Sequence, residues 1–260
     1  PAACWRLNET AGNNTAVDSS GHGHDFTYRT SPTRTGTAPD VGPRPVKFGG
    51  FEADNNAPTL YGVTSSNGYV GAIDDVLAGQ NDYTVELWVR PAIDQNNYSD
   101  YLLHREDTGS SAKGDFLGLR SPSGAGGSYE ELFVYDGSTS VDGTTVLTTG
   151  QWYHVAMVRE GDYVTVYLNG EEELARTLVP AAGWTAETWT FGGRGDLSGQ
   201  QQFSGNIDEI AIYGRVLTQD EIRAHYYMAQ VPEPAAALLL ALGGLGLAAW
   251  GARRRDRRPL

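Results

Sequence analysis

At 260 residues the chain is long enough for one large domain with a full core, and 33 glycines and 14 tyrosines with few long helical patterns exclude a helical bundle. The net charge of −13 is unevenly placed: five arginines against one acid, Asp256, occupy 253–258, so residues 1–252 hold 14 basic and 31 acidic side chains, a net −17. So acidic a surface excludes a nucleic acid partner, and the single Cys4 excludes an intrachain disulfide.

No initiator Met and no charged-then-apolar leader opens the chain; Pro1-Ala2-Ala3 follows either a processed signal or a truncated gene model. Trp5-Arg6-Leu7 reads as a first strand, with turn clusters at Gly12 to Asn14 and Asp18 to Gly23. Residues 30–45 are rich in Pro, Thr and Gly and read as an exposed loop, since Pro43 and Pro45 block ladder pairing. Val46-Lys47-Phe48 resumes a short strand, residues 49–68 are loop-like, and 69–73 form a further strand.

Residues 81–90 (NDYTVELWVR) place Tyr83, Val85, Leu87 and Val89 on one face, and Pro91 ends the run. Residues 101–104, 115–119 and 132–135 are three more strands, separated by polar loops that include 121–128 (SPSGAGGS). The densest alternation lies in 151–174. Tyr153, Val155 and Met157 share one face, with Trp152, His154, Ala156 and Val158 on the other. After a break at Glu160-Gly161-Asp162, Val164, Val166 and Leu168 alternate with Tyr163, Thr165 and Tyr167. Asn169-Gly170 supplies the positive φ angles of a type I′ turn, so the chain folds back through 171–174. Strands at 188–191 and 202–213 follow. Thr218 and Glu221 then form a capping box for a short amphipathic helix to about Met228, with Ile222 and Tyr226 facing a sheet. Many short strands at roughly regular spacing indicate an all-β sandwich or jelly roll.

Val231-Pro232-Glu233-Pro234 precedes residues 235–252, 18 residues without a charge. As a helix they span about 27 Å, near the hydrocarbon thickness of a bilayer. Gly243, Gly244 and Gly246 are tolerated in such a helix, and Trp250 sits where an interfacial aromatic would. Arg253, Arg254, Arg255, Arg257 and Arg258 then fix the C-terminus on the cytoplasmic side and the domain outside.

NDYTVELWVRP, GQWYHVAMVREGDYVTVYLNGEEELA and FSGNIDEIAIYGRVLTQDEIRAHY stand in that order, after CWRLNETAGNNTAVDSSGHGHDF. Together they resemble a LamG-like (concanavalin A-like) jelly-roll domain over about residues 3–228. The resemblance implies two stacked antiparallel sheets and a mostly non-enzymatic role in binding glycans or proteins, often with a calcium ion near the rim. By analogy with enzyme relatives it makes Asp208, with Glu9 or Asp18 and backbone carbonyls, a calcium site; alternatively Asp208 caps or salt-bridges at a sheet edge. The succession of Pro-Glu-Pro, apolar span and arginine cluster resembles the PEP-CTERM sorting signal of exopolysaccharide-making Gram-negative bacteria. That implies an exosortase in the inner membrane as partner, acting at Pro232, Glu233 and Pro234, with Arg253, Arg254 and Arg255 as the basic stop. The protein is then a substrate, held by its helix before transfer to the envelope or extracellular matrix.

Laminarinase-type jelly rolls need carboxylates as E-x-D-x-x-E on one strand face. The nearest match, Glu52-Ala53-Asp54-Asn55-Asn56-Ala57, lacks the last acid, and the neighbours Asp208 and Glu209 point to opposite faces of a strand. No catalytic residue is expected. His22 and His24 read as a solvated turn, and so does Arg194-Gly195-Asp196. Trp184, and Tyr98 beside Asn96, Asn97 and Asp100, fall in loops and are the candidate sugar-stacking aromatics; alternatively Trp184 is a lid over the sandwich end. Trp5, Trp88, Trp152 and Trp189 lie in strands and belong to the core. The expected organisation is a domain at 1–230 and a sorting signal at 231–260. The expected function is an exported, non-catalytic module that binds polysaccharide or matrix protein in adhesion or biofilm assembly. The alternatives are a structural protein–protein module of the cell envelope and, less favoured, a degenerate or unrecognised glycosidase.

Overall fold

Alternating apolar residues become strands, and the strands build two large sheets whose inner faces share one core, with a small two-stranded sheet at 15–16 and 26–27 beside them. The computed structural model describes residues 1–10, 12–28, 39–43, 47–60, 71–77, 79–93, 99–107, 110–121, 131–177, 187–194 and 201–231. Within them the strands are β1 (Ala3–Trp5), β2 (Thr15–Ala16), β3 (Phe26–Thr27), β4 (Pro39–Val41), β5 (Asn56–Leu60), β6 (Gly71–Asp74), β7 (Tyr83–Pro91) and β8 (Asp100–Asp107). There follow β9 (Ser110–Leu119), β10 (Glu131–Tyr135), β11 (Ser140–Val146), β12 (Tyr153–Glu160), β13 (Tyr163–Leu168), β14 (Glu171–Thr177), β15 (Glu187–Phe191) and β16 (Gly205–Tyr213). One helix, α1 (Gln219–Gln230), comes last.

An eight-stranded sheet runs β14-β13-β12-β7-β16-β5-β4, with β1 also on β16; a six-stranded sheet runs β11-β10-β9-β8-β15-β6. Every paired strand is antiparallel. This is the expected jelly-roll sandwich. The predicted meander is in place: Asn169 and Gly170 have φ of 54° and 85°, the left-handed pair that a type I′ turn requires. Val155, Met157, Val164 and Val166 point between the sheets, as their alternation predicts.

α1 covers the outer face of the eight-stranded sheet. Its N-cap is Thr218 in a complete capping box with Glu221. Leu217 and Ile222 pack on Ala156 and Val158, while Ala229 and Tyr226 pack on Trp88 and Phe48. Trp88 therefore lies under the helix, and Trp152 is only partly buried beside it; Trp5 and Trp189 are in the core between the sheets. Four expectations are corrected. Residues 30–45 include a strand, β4, at the sheet edge, where proline is tolerated. Residues 49–68 include β5, and Trp152 stands just before β12 rather than in a strand. Lys47 and Phe48 are not strand.

One end of the core is charged. Arg105 pairs with Glu187 and Arg159 with Asp115, and at most 2% of any of these side chains is exposed. Tyr83 donates to Asp115 at 2.6 Å and Trp189 to Glu187 at 2.8 Å, so each buried carboxylate accepts a hydrogen bond besides its ion pair.

Candidate functional site

Two places combine polar groups in an unusual way. The first is at Asp208. A β-bulge between Asp208 and Ala211 interrupts the β16–β7 ladder, and Glu209 takes a left-handed φ of 49°. The bulge leaves Asp208 fully buried and Glu209 beneath α1 beside His225 and Met228. Asn55, 1% exposed, donates through Nδ2 to Asp208 Oδ2 at 3.0 Å and to the Pro43 carbonyl at 3.2 Å. Gly42 permits this approach, since a Cβ there would stand 2.8 Å from Asn55 Nδ2 and 2.9 Å from Asp208 Oδ2. Two buried oxygens, Asp208 Oδ1 and Asn55 Oδ1, accept no hydrogen bond among the described residues. Burial, then the neighbouring Glu209, pushes the Asp208 carboxyl well above the usual range. Such oxygens are the hard donors that calcium takes.

Glu9 and Asp18 are engaged elsewhere. Asp18 accepts from Cys4 N, Ser20 N, Ser20 Oγ and His24 N at 2.8–3.0 Å. Burial works to raise its pKa, but the hydrogen bonds from His24, Cys4 and Ser20 outweigh it and hold the carboxyl well below the usual range. Glu9 accepts from Val17 N at 2.9 Å and from the Tyr28 hydroxyl at 2.5 Å. Among the described residues, no three His, Cys, Asp or Glu side chains are grouped to hold a metal ion. A cation at Asp208 thus depends on amide and carbonyl oxygens. Asn55 carries no signal in the sequence, because one amide of an Asn-Asn pair reads as loop.

The second place is the outer face of the six-stranded sheet. Leu117, Leu119, Leu132 and Val134 point inward, so their neighbours Phe116, Phe133 and Tyr135 point out and meet Tyr101. Gly118 pairs with both Tyr101 and Phe133, and a Cβ there would stand 2.5 Å from the Phe133 ring. Over these rings lies a hollow of about 310 Å³, lined by Ser99, Arg120, Tyr135, Ser140, Arg194 and Gln201. Arg120 donates to Asp142 and to Ser140 Oγ, and Arg194 donates to Gln201 Oε1 at 3.1 Å. His104 stacks on Phe116 with centroids 3.9 Å apart; burial, then Arg194, pushes its imidazole down to about 3.

A second hollow, about 270 Å³, lies under α1 between Phe51, Trp88, His154 and His225. His225 Nδ1 is 2.8 Å from Glu86 Oε2. Of the other expected residues, Trp184 and Tyr98 lie outside the described residues, as do Pro232, Glu233, Pro234, Arg253, Arg254, Arg255 and the apolar span 235–252. Among the described residues no helix is long and apolar enough to cross a membrane.

A family model described as the concanavalin A-like lectin/glucanases superfamily matches residues 55–223, and the PEP-CTERM protein-sorting motif matches residues 230–255. No curated protein matches the chain. Domain 4 of AbnA, a GH43 extracellular arabinanase from Geobacillus stearothermophilus, in complex with arabinotriose, is 23% identical with a TM-score of 0.56; the match covers 88% of this chain and 98% of that one. Trypanosoma rangeli sialidase in complex with the inhibitor DANA is 17% identical, TM-score 0.57, over 86% of this chain and 32% of that one, so the chain spans about a third of the sialidase. The binding domain of Paraclostridial Mosquitocidal Protein 1 is 15% identical, TM-score 0.52, over 85% and 52%. Likeness at such identities shows the fold, which glycosidases and binding domains share.

Proposed function

The chain belongs to the concanavalin A-like lectin/glucanases superfamily, and from that premise we propose that it is a non-catalytic glycan-binding domain of the cell envelope or matrix. The observation that carries the reading is the hollow on the six-stranded sheet. Hydroxyls of Ser99, Ser140 and Tyr135, guanidinium groups of Arg120 and Arg194, and the Gln201 amide converge there on a floor of rings. These hydroxyl, guanidinium and amide groups offer a sugar a ring of hydrogen-bond partners. The arabinanase domain that the chain matches over most of its length was solved with arabinotriose, which supports a saccharide as ligand. Affinity electrophoresis of the full chain through gels containing plant and bacterial polysaccharides tests this. Retardation by at least one glycan, reduced when Tyr135 and Ser140 are both changed to Ala, is the expected result. No retardation in any gel, with self-association on ultracentrifugation, would overturn it in favour of a structural module.

Calcium belongs to the same proposal. Asp208, Asn55 and the Pro43 carbonyl would hold it, and the ion would neutralise a carboxylate that forms no ion pair among the described residues. At 100 times its Kd a ligand stabilises the folded state by about 2.7 kcal/mol. Millimolar calcium should therefore raise Tm of the native chain, and Asp208→Asn should abolish that rise. An equal rise in both proteins would remove the site.

The sorting motif marks an exported, envelope-sorted chain. We propose that 235–252 hold it in the inner membrane, with Arg253, Arg254 and Arg255 cytoplasmic, until an exosortase acts at Pro232, Glu233 and Pro234. Glu233→Ala should leave the fold intact and trap the membrane-held form; normal release in a host with exosortase would refute this.

A further inference from the structure

Resting on the glycan-binding reading, we propose that the hollow of the six-stranded sheet selects an acidic polysaccharide, with Arg120 and Arg194 receiving its carboxylate or sulfate groups. The floor rings themselves are poor stacking surfaces: Tyr101, Phe116 and Phe133 are 4%, 0% and 2% exposed. What covers them is guanidinium. Arg120 lies 4.1 Å above the Phe133 ring and Arg194 5.8 Å from Phe116. A ligand entering the hollow therefore meets cationic planes, hydroxyls and an amide before it meets an aromatic face.

The charge is local and runs against the rest of the molecule. Residues 1–252 carry a net −17, yet the described lining of the hollow holds two arginines and no carboxylate. Burial first, and then Arg194, holds the His104 imidazole low beneath this spot. An acidic protein repels an anionic polymer over most of its surface, so a positive patch orients the polymer as well as binding it. The guanidinium fork matches carboxylate and sulfate oxygens, and rings beneath hold its plane, so little order is lost on binding.

Arg120 already has an acid. Its Nε donates to Asp142 Oδ1 at 2.7 Å, but Asp142 stands on the edge strand β11 with 44% of its side chain exposed. An exposed pair of this kind contributes little in water, so a sugar carboxylate can take Asp142's place without a large penalty.

The test is affinity electrophoresis of the full chain, without added calcium, against polygalacturonate, dextran sulfate, neutral dextran and neutral arabinan. Retardation by an acidic polymer should exceed that by the neutral ones about tenfold, and should fall about tenfold in the double variant Arg120→Gln, Arg194→Gln at an unchanged melt. It should also weaken between 50 and 500 mM NaCl. Asp142→Asn should strengthen retardation, a gain that unfolding does not produce. Polygalacturonate against dextran sulfate separates carboxylate from sulfate as the preferred group. Equal retardation by neutral and acidic polymers, unaltered in the double variant, overturns the acidic preference and leaves the glycan reading standing. Acid-selective retardation that neither arginine nor Asp142 alters overturns the assignment to this hollow. No retardation by any polymer overturns both.

Discussion

The two sheets turn similar inner faces to one core and opposite outer faces to their surroundings. The eight-stranded sheet hides its outer face under α1, which seats Ile222 on Ala156 and Val158 and Tyr226 on Trp88. The six-stranded sheet also has outward rings, Tyr101, Phe116 and Phe133, but Arg120 and Arg194 cover them. An apolar cover is bound by burial and adds to stability. A cover of guanidinium groups shields the rings with side chains that remain polar and charged. Among the described residues, one outer face is thus covered by an apolar helix and the other by arginines.

The strongest way to break the comparison is to break the core that both sheets share. Val166→Asp drives an unpaired charge between the sheets, where Val166 is fully buried, and should cost about 3–5 kcal/mol. Circular dichroism should show an unfolded chain; an unchanged melt would show that Val166 does not face inward. Next comes the cover itself. Ile222→Ala should cost about 2–4 kcal/mol, because the residue is fully buried under α1. Arg120→Gln on the other sheet should change stability by about 0.5 kcal/mol or less. Equal losses in urea melts would show that both covers serve the fold.

The inner faces could be read from the sequence, and the outer ones could not. Asn169-Gly170 fixes a turn by backbone chemistry alone, and the valines around it fix the register. Phe116 and Phe133, however, alternate with leucines, so both faces of β9 and β10 are apolar and the period does not say which is inside. Arg120 and Arg194 are far apart in the chain, and only the antiparallel ladders bring them to one hollow. β11 escaped because its residues (SVDGTTV) are mostly exposed, so no apolar face marks the strand. The calcium reading singled out Asp208 through family likeness. It missed Asn55, whose role depends on the fold of β5 and the glycine at 42.

The histidines sharpen the contrast between the faces. Burial pushes His154, under α1, down to about 4 against the raising pull of Glu86; burial and Arg194 push His104, under the arginines, to about 3. Both fall below the unfolded value, so the unfolded chain binds more protons between. The stability from keeping them neutral is fully present above about pH 6.5 and is lost as pH falls toward those values. NMR titration of the ring protons should find His104 the lower. Arg194→Gln should raise His104 and leave His154 unmoved, which a shared global opening would not do.

A smaller effect than that of Ile222→Ala is expected at the helix clamp. The hydrogen bond that His225 donates to the Glu86 carboxylate raises the His225 pKa above the ordinary 6.5. A raised folded pKa means that this contribution is fully present below about pH 6.5 and is lost as pH rises through the folded value. Glu86→Gln keeps the shape but loses the charge, so it should lower stability by about 1 kcal/mol at pH 6 and less at pH 8. That slope, opposite in sign to the one from His104 and His154, is measured by comparing urea midpoints of the two proteins at the two pH values. An equal difference at both would mean that the helix is held by Ile222, Tyr226 and Ala229 alone, with the ion pair contributing nothing to the covered face.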